Sequence, residues 1–267
     1  MSEHDRTSAF GAAEDVHRLE NVLADTSASP HSRSWLLKRA ALGVGVVAAA
    51  SPLGRALAAT GTDTPQAVGV TAVTAEALAV TYLTALIGRL GSGLGAAEEP
   101  LRAANQAEQD HFAFLSGAGF TPLTTTFWIP DAAFDPAQVA ATVETLETVF
   151  VNAYLIGVTV FANAGSADLA RYAGEIAVVE AEHRALARQL QGKLPDNLAF
   201  ERYTVGTLDA VVGELTATGI GFEERGSQPG AFYGYQGPSP STVVPLDNDA
   251  PDQAVPFPQP MLVGATG

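Results

Sequence analysis

The chain has 267 residues, enough to bury a real core, and no cysteine, so disulfide frameworks and thiolate metal sites are excluded. Any metal must be held by His, carboxylate or backbone oxygen. The net charge of −15 argues against nucleic acid as a partner, because so acidic a surface repels phosphate backbones.

The charge is unevenly placed. Residues 1–58 carry 6 basic and 6 acidic groups, whereas residues 59–267 carry 8 and 23. Residues 1–31 are polar and lack a steady apolar period. Ser32-Arg33-Ser34-Trp35-Leu36-Leu37-Lys38-Arg39 then precedes an apolar run from Ala40 to Ala50, and Ala56-Leu57-Ala58 has the small-x-small form that signal peptidase accepts. The run is shorter than the ~20 residues a permanent membrane helix needs. This leader resembles a twin-arginine export signal, with Ser34 where that signal has its second arginine. The resemblance implies an exported protein, periplasmic or extracellular, that meets the membrane only if the leader stays uncleaved.

Five helices are predicted after it. The first runs from about Thr71 to Leu90, with Thr74 as its candidate cap and Gly91-Ser92-Gly93 as its break. The second opens at Glu98-Glu99-Pro100, where acids suit the first turn and proline suits the first helical position, and ends near Gly117. A connection from Ala118 to Asp135 follows, with Phe127 and Trp128 expected to pack on the helices. Asp135-Pro136 starts a third helix reaching about Ala164, and Gly165-Ser166 turns into a fourth, from Ala167 to about Gly192. A short fifth spans Val205 to Thr218. Short links within each pair and a long link between the pairs describe two antiparallel hairpins joined by a crossover. The expected division is a leader (1–58), a helical bundle (59–225) and a tail (226–267). The tail holds eight of the sixteen prolines, so it is no helix. It reads as an extension or as a strap, and Phe232, Tyr233, Tyr235, Phe257 and Leu262 favour the strap. Asp247-Asn248-Asp249 reads as a turn.

The chemistry lies in the histidines. Of five, three precede Ala58, and each of the other two follows a glutamate by three residues: Glu108-Gln109-Asp110-His111 and Glu180-Ala181-Glu182-His183. At that spacing on a helix both side chains face one way and can reach one ion. Each partner helix supplies an acid in apolar surroundings: Glu76 in the first, Glu147 or Glu144 in the third. Glu76 to His111 is 35 residues and Glu147 to His183 is 36. The two halves therefore repeat one arrangement. Measured from the hairpin turns, Glu76, Glu108, His111, Glu147, Glu180 and His183 fall at one depth, about 25 Å from the tips. Tyr154, two turns beyond Glu147, can support the set from behind. Glu175 and Glu182 point away toward water.

Over roughly residues 70–192 these motifs resemble the ferritin-like superfamily, in particular the bacterial branch that includes desiccation-related proteins. The resemblance implies an all-α, ferritin-like four-helix bundle and a dinuclear site of two iron or two manganese ions. Glu108 and Glu180 would bridge, with Glu76, Glu147, His111 and His183 terminal. It also implies a small-molecule oxidant, oxygen or peroxide, for a di-metal oxidase or a peroxide-decomposing oxidoreductase. The alternative is a metal-binding stress protein without turnover.

Overall fold

The computed structural model describes residues 63–238. The leader with its Ala56-Leu57-Ala58 motif, the Asp247-Asn248-Asp249 turn, Phe257 and Leu262 lie outside the described residues.

Helix α1 spans Pro65–Leu90. It starts earlier than the apolar pattern predicts, because Pro65 occupies the first turn and the Thr64 hydroxyl accepts a hydrogen bond from Ala67 N. Thr74, the expected cap, is instead buried inside the helix. Its hydroxyl donates to Val70 O and accepts from Leu123 N of the crossover. Gly91 and Gly95 take positive φ in a short 3-10 segment, Gly91–Ala97, a backbone glycine tolerates best. Helix α2 then runs from Glu98 to Gly117. Helices α3, Val139–Asn163, and α4, Ala167–Leu190, form the second hairpin. Its turn passes through Gly165, also at positive φ. The bundle is thus two antiparallel hairpins, α1/α2 and α3/α4, packed together through α1 against α3 and α2 against α4.

Helix α1 is buried nearly all round, as expected of an element covered on every side. Helices α2 and α3 lie against it, and so do α5 (Leu208–Ala217) and a small sheet. Phe120, just after α2, lies flat on Gly69, where any Cβ would sit 2.1 Å from the ring. The crossover is anchored again by Tyr82, whose hydroxyl donates to Ala133 O at 2.8 Å.

The crossover is not a plain loop. Thr126–Pro130 forms strand β1, the centre of a three-stranded antiparallel sheet between β2, Gly221–Phe222, and β3, Gly230–Gly234. Phe127 pairs with Phe222 on one side and with Tyr233 on the other. Phe127 and Trp128 are buried, in keeping with the packing role expected of them. Tyr233 accepts a 2.7 Å hydrogen bond from Arg89 Nη1, and the same guanidinium lies 4.2 Å over Phe134. The segment 230–234, which the sequence offers as a strap, is therefore a strand tied to the end of α1.

Candidate metal centre

Each helix of the bundle brings one part of a buried polar cluster. Glu76 comes from α1, Glu108 and His111 from α2, Glu147 from α3, Glu180 and His183 from α4. Glu76 and Glu147 arise in apolar stretches, whereas Glu108, His111, Glu180 and His183 lie on the inward faces of more polar helices, and the polar ends of all six meet each other rather than water. The four glutamates are almost wholly buried, and His183 and His111 keep only 9% and 12% of their side-chain surface.

The geometry joins the halves. His111 Nδ1 lies 3.6 Å from Glu76 Oε2, 3.2 Å from Glu108 Oε2 and 3.4 Å from Glu180 Oε1. His183 Nδ1 lies 3.1 Å from Glu108 Oε1, 3.3 Å from Glu180 Oε2 and 3.9 Å from Glu147 Oε1. Glu108 and Glu180 thus each present one oxygen to either histidine. Two overlapping groups result: Glu76, Glu108, His111 and Glu180, and Glu108, Glu147, Glu180 and His183. In each, four ligand atoms lie within 4.8 Å of one another.

Most of these atoms find no hydrogen bond. Glu76 Oε2, Glu108 Oε1, Glu147 Oε2, both oxygens of Glu180 and His183 Nδ1 are buried and unsatisfied. A buried charge left unpaired costs about 3–5 kcal/mol, so without metal these groups are balanced only by protons held among themselves, which a bound cation would replace. Imidazole with carboxylate is a donor set that suits metal ions such as iron and manganese. The six side chains are compatible with binding metal.

The electrostatics describe the same strain. Burial, and then the neighbouring Glu108 and Glu180, push the carboxyls of Glu76 and Glu147 well above the usual range. Against the upward push of burial, the imidazoles of His111 and His183 hold Glu108 well below it. Burial alone would lower both histidines, but the surrounding glutamates hold them well above the ordinary imidazole value. Protons on these groups compete directly with metal.

Tyr154 stands behind the cluster, joined to it across the helix pair. It donates its hydroxyl to Glu76 Oε1, not to Glu147 on its own helix. Shared helical face could not show this, because the contact depends on how α1 lies against α3.

Glu144, the rival of Glu147, is elsewhere. It accepts from Arg188 Nη1 at 2.7 Å, from Gln191 Nε2 at 2.8 Å and from Lys193 Nζ. Glu175 and Glu182 are exposed, and Glu175 pairs with Arg171 at 2.6 Å. The clamp formed by Arg188 and Lys193 on Glu144 had no sequence signal, since its partners lie 44 and 49 residues apart.

A comparison with protein families agrees with this architecture. Residues 67–193 match the family described as "Ferritin-like domain", the stretch that holds all six clustered residues. The bundle, with its long crossover and short fifth helix, is a ferritin-like fold, and the match supports placing this domain in the ferritin-like superfamily. No curated protein and no solved structure matches the chain.

Proposed function

We propose that the six residues hold a dinuclear centre of iron or manganese, with Glu108 and Glu180 bridging and Glu76, His111, Glu147 and His183 terminal, and that this centre performs oxidoreductase chemistry on oxygen or peroxide. The observation that carries the reading is the shared reach of Glu108 and Glu180 to both histidines, in a cluster where five of the carboxylate oxygens are buried without a hydrogen-bond donor. Bound there, a pair of redox-active ions would each give up one electron, so that dioxygen taking both, with two protons, leaves as hydrogen peroxide.

The chain's own residues prepare the setting. The hydrogen bond from Tyr154 fixes one oxygen of Glu76 and leaves the other turned toward His111, which limits the rotamers the carboxylate can take. The apolar walls of α1 and α3 exclude water, which strengthens every charge interaction inside. The leader adds a setting outside the cytoplasm to the proposal, with mature protein beginning at Ala59.

Loading metal-free protein with ferrous or manganous ion under nitrogen, then admitting dioxygen or hydrogen peroxide, tests the proposal. Oxidation of about two ions per chain supports it. Tight binding without oxidation would assign the site to metal holding, the role of a non-catalytic stress protein, and absence of binding would refute both.

A further inference from the structure

A cavity of about 20 Å³ lies between the start of α2, the start of α3 and the end of α4. That is room for one very small molecule. Leu101 and Ala104 line it from α2, Val139 and Val143 from α3, and Ala187 and His183 from α4. His183 is the sole polar side chain in its wall. The exposed Leu186 and Leu190 also line it, so the cavity reaches from the protein surface to the back of an imidazole whose Nδ1 faces the carboxylates.

We infer that this cavity is the entry port of the centre and that it selects dioxygen over hydrogen peroxide. The inference rests on the metal reading above and settles which oxidant the site takes. Dioxygen has no hydrogen bond to lose on leaving water. Hydrogen peroxide has two donors and several lone pairs, and a wall that is hydrocarbon apart from one imidazole leaves most of them unpaired, at a cost of about 2–7 kcal/mol per uncompensated polar group. Water is excluded by the same argument, since a buried water needs two or more polar partners. A second cavity of similar size touches Tyr154 rather than a proposed ligand. It is lined by Ala153 among others, which makes it a control.

Paramagnetic broadening by dissolved dioxygen can be read at methyl groups of the full-length, metal-free protein. The methyls of Leu101, Val139 and Val143 should broaden under dioxygen relative to nitrogen and should not shift with hydrogen peroxide. Ala187→Leu fills the cavity from within. Ala140→Phe fills it from a half-buried position in its wall and keeps the test alive if the first variant folds poorly. Either folded variant should lose the broadening. After iron loading it should keep its metal and oxidise it about tenfold more slowly with dioxygen, whereas Ala153→Phe should keep the wild-type rate. No broadening at these methyls in a chain that binds iron would overturn the port alone, as would an unchanged rate in a variant that has lost the broadening. Broadening in a chain that binds no iron would instead overturn the metal reading and, with it, the port's role.

Discussion

Glu144 and Glu147 sit three residues apart on α3, yet they answer opposite needs. Glu144 lies at the bundle's edge and the chain supplies its counter-charges: Arg188 from the end of α4 and Lys193 just beyond, with Gln191 donating as well. Glu147 lies inside, where its neighbours are Glu108, Glu180 and His183, and one of its oxygens meets no donor. A carboxylate with its own cation stabilises the fold and leaves nothing for a visitor. One that is buried among other acids destabilises the fold until something positive arrives. The difference is in what the chain withholds from the interior, and it distinguishes a structural glutamate from a candidate ligand better than burial alone.

The contrast breaks most visibly at the shared residues. Glu180→Ala or Glu108→Ala should strip both ions, because each touches both halves of the cluster. Glu147→Ala should remove mainly the ion on the His183 side. Metal per chain, measured by mass spectrometry after dialysis against manganese, checks the order. Glu144→Ala should retain full metal while losing about 1–2 kcal/mol of stability, read as a melting temperature about 3–6 °C lower.

The same clamp makes a pH prediction. Although partial burial pushes the Glu144 carboxyl up, Lys193, Gln191 and Arg188 hold it below the ordinary 4.5. A group lowered in the folded state stabilises fully above its unfolded value and loses that contribution as pH falls through the folded one. Melting followed from pH 6 downward should therefore show a loss beginning near 4.5 that is shallower in Glu144→Gln.

Removing charge from the interior should act in the other direction. Glu76→Gln keeps an oxygen for Tyr154 and takes away one repelling acid, so the metal-free protein should gain about 1 kcal/mol while its metal affinity falls. Chemical unfolding with and without manganese separates the two effects. The smallest effect belongs to Glu182→Ala, which should change stability by less than about 0.5 kcal/mol and metal not at all. Metal loss there equal to that of Glu180→Ala would mean that the wrong face of α4 has been assigned.

Much of this arrangement is legible in the chain because it is periodic. The Glu-x-x-His spacing, the matching 35- and 36-residue separations and the glycine breaks are all local or repeat regularly along helices, and the structure brings those six side chains together. The start of α1 is less legible, since Thr64-Pro65 lies before the apolar run that signals the helix. The sheet was hidden for another reason. Thr126–Pro130 becomes a strand through partners about a hundred residues later, and a five-residue aromatic stretch declares no such pairing. Tyr154 shows the same limit: its face is readable, its partner is set by packing.

The central claim is that two ions share Glu108 and Glu180, and anomalous diffraction from crystals grown with manganese measures this directly. Two anomalous peaks are expected, one among Glu76, Glu108, His111 and Glu180, the other among Glu108, Glu147, Glu180 and His183. Manganese bound only at the acidic surface, with the six side chains empty between the helices, would contradict it.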